Sequence, residues 1–417
     1  MILKFLGGAQ EVGRSAVLFE DSKRILLDYG IKLNRHTEYP VEMPRVEALF
    51  LSHAHLDHSG SAPALYNAAP IPTFGTLPTL KLSELLLKDT MKIAKRGHSK
   101  INFSKKQLRE FMGRYINLDY HKSVEVGDLN IELFDAGHIS GSAITLIERA
   151  KAKENKRIVY TGDFKLGGQL LHRGAEIVKS DVLITEATYA LKEHPNRDGL
   201  IKGFIEHIKS VLDDGGTALV PAFAVGRSQE LLAILYKNGL ADDVYVDGMA
   251  REATRIIMSF PDFINAPEVL SNAVQKANFI TSAAERDDAL SVPAIILTPA
   301  GMLNGGPVLD YIPKLNSASH IFLTGYQVEG TNGDMLLGTG KIRENHKTLT
   351  IKTKVTQYDF SAHAGRSDLH EYARMSSPNM VICVHASEEN AKNLAESLKG
   401  EGFEAYAPKV GETIKLS

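Results

Sequence analysis

The stretch Ser52-His53-Ala54-His55-Leu56-Asp57-His58-Ser59-Gly60 places three imidazoles and one carboxylate within six positions. It follows directly on the apolar run Ala48-Leu49-Phe50-Leu51, which reads as a buried strand, and its closing Gly reads as a loop. Zinc accepts His nitrogen and Asp oxygen, and a catalytic zinc keeps one position open for water. Four such side chains on one turn supply halves of two sites, one rich in nitrogen and one mixed. Surface histidines beside a capping Asp are the plain alternative, and the density of the HxHxDH spacing weighs against it.

The remaining ligands must come from other elements, and the same layout recurs along the chain. Apolar runs end at Ala136-Gly137-His138, at Thr161-Gly162-Asp163, at Thr185-Glu186 and at Val384-His385. In layered α/β architectures, the ends of strands are where sites gather. His53, His55 and His138 suit one zinc and Asp57, His58 and His385 the other, with Asp163 as a bridging carboxylate. Two metals roughly 3.5–4 Å apart can share a hydroxide and clamp a phosphoryl oxygen. Asp28 follows the run Arg24-Ile25-Leu26-Leu27. It fits either an orienter of a ligand His or a turn-capping Asp.

The elements that carry these residues belong to a long soluble chain. Its 417 residues exceed one ordinary core, so two domains are expected, and a change of texture near Asp198 fits one inserted in the other. From there, helical periodicity over Leu200–Leu212 and Ser228–Tyr236 alternates with strand-like runs at 217–221, 245–248, 294–299 and 320–325. That is the pattern of a parallel α/β unit. After Lys354 the earlier pattern returns. No apolar run is long enough to span a bilayer, and the opening residues lack the apolar region of a signal peptide. The one cysteine, Cys383, excludes an internal disulfide and reads as a buried strand residue. These points favour the cytoplasm. Net charge is −2, so binding of a polyanion needs positive charge concentrated locally. The segment Lys88–Lys106 is one candidate, with a solvated helix face as the competing reading.

With those residues in place, the chain resembles the metallo-β-lactamase-fold nucleases that carry a β-CASP insertion, the group of CPSF-like and RNase J-type ribonucleases. Asp28 resembles the family's first motif, His53-His55-Asp57-His58 the second, His138 the third and Asp163 the fourth. Glu186, His363 and His385 resemble the three motifs peculiar to β-CASP proteins. The segments Pro221–Glu230, Gly301–Gly306 and Gly325–Thr331 add to the likeness. The chain departs from the family pattern at Ala386-Ser387 after His385, at Pro307 after the Gly305-Gly306 pair, and at Arg366 after Gly365.

The resemblance implies a four-layer αββα metallo-β-lactamase domain over residues 1–190 and 354–417, with an inserted parallel α/β β-CASP domain over 191–353. It implies two Zn²⁺, a hydroxide held between them that attacks an RNA phosphodiester, and 5′-phosphate and 3′-hydroxyl products. It makes Asp57 and Asp163 part of the catalytic centre, His363 the group that protonates the leaving oxygen, and Glu186 its partner. His385 points to RNA rather than DNA. Ser361, Arg227, Gly305, Gly306 and Tyr326 are implied RNA contacts, single-stranded RNA the partner, and a homodimer the assembly. Endonuclease and 5′→3′ exonuclease modes stay open. A non-catalytic RNA-binding scaffold subunit and a metallo-hydrolase of small substrates are the competing functions. The first would be marked by lost ligands, and the second leaves His363 and the long insert without a purpose.

Overall fold

Alternation within the first strands sets the architecture. In Ile2–Gly7, Leu3 and Phe5 point to one side and Leu6 to the other; in Ala16–Glu20, Val17 and Phe19 oppose Ala16 and Leu18. Both sets are buried, so the sheet they form must be covered on both faces. The computed structural model describes residues 1–33, 36–67, 70–97, 100–149, 156–344 and 347–416.

The chain divides into two units. The first comprises Met1–Gly168, Arg173–Glu193 and Ala362–Ser417; the second comprises Gln169–His172 and His194–Ser361. The first unit is a sandwich of two seven-stranded sheets. One sheet runs Thr413–Lys415, Ile2–Gly7, Ala16–Glu20, Arg24–Leu27, Ala48–Phe50, Thr73–Gly75, Tyr115–Asn117. The other runs Glu404–Tyr406, Met380–Val384, Val182–Glu186, Ile158–Tyr160, Ala143–Arg149, Leu129–Asp135, Ser123–Val126.

Between the sheets lies a core that includes Leu3, Phe5, Phe19 and Phe50 from the first and Ile131, Ile147, Ile184 and Ile382 from the second. Outside the first sheet, Leu18, Leu26 and Leu49 pack with Leu87, Leu108 and Phe111 of covering helices. Outside the second, Leu146, Leu183 and Val381 pack with Leu369, Leu394 and Leu398. These are the four αββα layers that the sequence led one to expect. Cys383 lies fully buried in the strand Met380–Val384.

The second unit holds a six-stranded sheet in the order Asn278–Phe279, Val244–Val246, Ala294–Thr298, Thr217–Pro221, His320–Leu323, Lys354–Gln357. Every neighbouring pair is parallel. Thr217–Pro221, Ala294–Thr298 and His320–Leu323 are short, mostly apolar and buried throughout, as the interior of a sheet covered on both faces requires. The expected insert ended at residue 353. The observed unit runs on through Lys354–Gln357, which pairs with His320–Leu323, and the chain re-enters the first unit at Ala362. Among the described residues no helix is long and apolar enough to cross a membrane.

Candidate metal centre

Three adjacent parallel strands of the second sheet, Ile158–Tyr160, Val182–Glu186 and Met380–Val384, end side by side. Their C-terminal ends deliver Asp163, Glu186 and His385. His138 follows Leu129–Asp135 after Gly137, which adopts φ 65°. From the first sheet, the strand Ala48–Phe50 leads to His53 and His55, and the short helix Leu56–Ser59 carries Asp57 and His58. That helix packs so tightly on Gly30 that a Cβ there would lie 1.8 Å from the Asp57 carbonyl oxygen. A Cβ on Gly162 would likewise meet the Ser52 Cβ at 2.6 Å, so the Asp163 loop abuts the residue that opens the histidine cluster.

Donor atoms converge in three groups that share Asp163. His53, His55, His138 and Asp163 form one; Asp57, His58, Asp163 and His385 form another; Asp163, Glu186 and His363 form the third. Within each, the donor atoms lie within 4.8 Å of one another. His55 Nδ1 stands 3.2 Å from both His53 Nε2 and His138 Nε2. Asp163 Oδ2 is 3.5 Å from His53 Nε2 and 3.3 Å from His58 Nε2, while Oδ1 is 3.2 Å from His385 Nδ1. His385 Nε2 lies 3.3 Å from Asp57 Oδ2.

This donor set fits divalent cations. Five imidazoles and two carboxylates point at common centres, and the buried Asp163 Oδ1 accepts no hydrogen bond among the described residues. Burial, with neighbouring imidazoles adding to it, pushes the pKa of His53 and His138 well below the usual value, and His55 follows in the same direction. Neutral imidazole is the form that binds metal. Asp163 is held well below the carboxylate range: burial opposes this, but His385, His58 and His363 outweigh it.

Other contacts orient these groups. Asp28 Oδ2 lies 2.6 Å from His58 Nδ1 and accepts the Tyr160 hydroxyl at 2.8 Å; the Ser52 N–H donates to Oδ1 at 2.7 Å. His138 Nδ1 donates to the Ala362 carbonyl at 2.8 Å. His385 sits at φ 52°, its N–H donating to Gly8 and its carbonyl accepting from the Thr188 hydroxyl at 3.0 Å. Tyr160, Thr188 and Ser52 were not picked out in the sequence. Each lies within three residues of a strand-end ligand or the Glu186 strand, which is the signal that could have found them.

His363 Nδ1 sits 3.0 Å and 3.1 Å from the two Glu186 oxygens and 3.9 Å from Asp163 Oδ2. Burial disfavours its charged form, but Glu186 and Asp163 more than offset this and raise its pKa to about 9. Glu186 is fixed in turn by the Phe164 N–H, which donates to Oε1 at 3.0 Å.

The residues expected to touch RNA belong to the second unit. Arg227 opens the helix Arg227–Lys237, is buried, and donates to the Thr324 carbonyl. Tyr326 is 53 % exposed. Gly305 and Gly306 adopt φ of 153° and 78°. Ser361 is buried, and its N–H donates to Asp359 Oδ1 at 3.3 Å.

Three family descriptions match the chain: a metallo-β-lactamase superfamily domain over residues 17–181, a Beta-Casp domain over 228–336, and a Zn-dependent metallo-hydrolase RNA specificity domain over 348–408. The chain is 38 % identical to the Probable RNase MJ4 of Methanocaldococcus jannaschii over the whole of both proteins. It is 37 % identical to the RNase aCSPSF2 of Saccharolobus solfataricus, over 99 % of this chain and 85 % of that one. It is 31 % identical to the transcription termination factor FttA of M. jannaschii, over 95 % of this chain and 68 % of that one. A crystal structure of a protein of unknown function from Enterococcus faecalis superposes with a TM-score of 0.61 at 14 % identity, covering 100 % of this chain and 99 % of that one, a likeness of fold alone. Sequence identity across its full length, together with the three matching domains, makes this chain a member of the metallo-β-lactamase-fold β-CASP family of CPSF-like ribonucleases.

Proposed function

We propose that the chain is a zinc-dependent ribonuclease that hydrolyses RNA phosphodiester bonds and leaves 5′-phosphate and 3′-hydroxyl ends. The observation that carries this reading is the position of Asp163, common to a nitrogen-rich and a mixed donor group and 3.9 Å from the His363 imidazole. Two zinc ions, one on His53, His55 and His138 and one on Asp57, His58 and His385 with Asp163 shared, would supply Lewis acidity toward a phosphoryl oxygen and a water of lowered pKa.

The chain's own groups do the rest. His363 is kept protonated by Glu186, so it enters the reaction as an acid. It is 21 % exposed while Asp163 and Glu186 beside it are buried, so of these three it is the one solvent reaches. From there it gives its proton to the departing 3′ oxygen. Glu186 fixes the imidazole by accepting a hydrogen bond from its Nδ1–H, which leaves Nε2 to face substrate. Asp28 does the same for His58, and the Ala362 carbonyl for His138. The relatives' names as RNases support RNA as substrate. The same reading has the enzyme act in the cytoplasm as a homodimer, which light scattering on the purified protein tests.

Labelled single-stranded RNA incubated with and without chelator tests the activity. Cleavage that vanishes with chelator and returns with zinc is the expected outcome, and no cleavage with any divalent ion sinks the reading. Substrates with a 5′-phosphate, a 5′-triphosphate or a closed circle then separate exonuclease from endonuclease action.

A further inference from the structure

Charge is unevenly spread along this chain. Between Lys88 and Arg109, eight lysines and arginines stand against the single acid Asp89. The chain totals 48 basic and 50 acidic side chains, so the remainder holds 40 against 49. A strongly cationic segment thus sits in an otherwise anionic protein.

The structure turns that segment into a face. The helix Leu77–Arg96 buries Leu82, Leu86, Leu87 and Ala94, and the helix Lys105–Gly113 buries Leu108 and Phe111. A capping box between Ser104 and Gln107 fixes the start of the second helix. Lys92, Lys95, Arg96, Lys100, Lys105 and Arg109 are all exposed. Lys88 pairs with Glu84, and Lys106 lies 3.9 Å from Glu110; no carboxylate of the described residues pairs with those six. Lys92, Lys95 and Arg96 are helix neighbours, so among the described residues no ion pair offsets their mutual repulsion. A solvated face normally interleaves acids with bases, and this one does not.

The first helix also measures the distance to the metal centre. Thr76 caps it, and the hydroxyls of Thr76 and Thr79 donate to the Gly141 carbonyl at 2.7 Å and 2.9 Å. Gly141 lies three residues beyond His138. The helix start is therefore pinned to the loop that carries a metal-ligand candidate, and Lys92–Arg96 stand roughly 24–30 Å further along the axis.

We propose that this face of the first unit is a second holding surface for RNA, gripping the sugar–phosphate backbone several nucleotides from the bond that is cut. The proposal rests on the ribonuclease reading. The cations are long, flexible and spread over two helices without a pocket, which suits backbone phosphates rather than base recognition. Ile93, 61 % exposed among them, offers apolar surface to an unstacked base.

The test compares the full-length wild type with the Lys92→Gln/Lys95→Gln/Arg96→Gln/Lys105→Gln variant. Binding of a fluorescent single-stranded RNA of about 40 nucleotides is measured under chelation, between about 50 and 200 mM salt. Four lost phosphate contacts lower the slope of log affinity against log salt by about 3 and weaken binding at least about tenfold at the low-salt end. Cleavage of an RNA of about four nucleotides, too short to span the helix, keeps its wild-type kcat/KM. Unchanged affinity and slope for the long RNA overturn the proposal. So does an equal loss on short and long RNA, which reports a general disturbance of the fold. So does a variant that loses binding to polyglutamate but not to RNA, which gives the face to an acidic protein. A wild type that neither binds nor cuts RNA sinks the ribonuclease reading and this proposal with it, and the wild-type arm alone identifies that case.

Discussion

The Nδ1 of His138 donates to the carbonyl of Ala362, 2.8 Å away in space and 224 positions away in sequence. One backbone oxygen thus orients an imidazole of the metal cluster from the residue immediately before His363. Because the tie is made by backbone, it survives loss of the His363 side chain. We therefore expect His363→Ala to retain full metal content by elemental analysis while losing about 10²–10⁴-fold in kcat, the ordinary range for removal of a general acid. A fall in bound metal would assign His363 to the ligand set instead.

Asp163 belongs to both the nitrogen-rich and the mixed donor group. Asp163→Asn removes its negative charge from each at once. Elemental analysis of that variant should show occupancy of both metal positions reduced, with activity lost. Two fully occupied sites would show that Asp163 does not bridge.

Asp28 is buried and receives His58, Ser52 and Tyr160. Asp28→Ala leaves three polar partners unsatisfied and frees the His58 ring. Metal affinity, measured by competition with a chromophoric chelator, should fall about 10–100-fold. Tyr160→Phe removes only one of those bonds and should cost about 1 kcal/mol of stability in denaturant unfolding.

His172, in the second unit, is buried, and burial pushes its pKa down to about 4 against a weaker opposing pull from Glu230. The unfolded chain binds a proton there near pH 6.5 and the folded chain does not. Its contribution to stability is therefore complete above about pH 6.5 and is lost as pH falls toward 4, by at most about 3 kcal/mol. Thermal unfolding of His172→Gln should show a shallower acid destabilisation of the second unit than the wild type. Parallel pH profiles would remove His172 as a cause.

The candidate metal ligands were legible because each ends an apolar run or lies in the dense 53–58 cluster, and strand ends are exposed on one edge whatever the strand order. Strand order itself was not legible: Met380–Val384 lies beside Val182–Glu186, and nothing local to either sequence says so. The strand Lys354–Gln357 was hidden for another reason. It is a four-residue edge strand with mostly polar side chains, so it lacks the apolar run that marks its neighbours. Tyr160 and Thr188 were missed because their roles depend on partners 132 and 197 residues away.

The cluster draws on residues from position 53 to position 385. During synthesis the amino-terminal imidazoles leave the ribosome long before their last partner is made. A chain cut short between Asp163 and the strand Met380–Val384 keeps the first donor group and lacks His385 of the second. Completion of the second donor group therefore waits on the placement of Met380–Val384, well after its partners Asp57, His58 and Asp163 have been made.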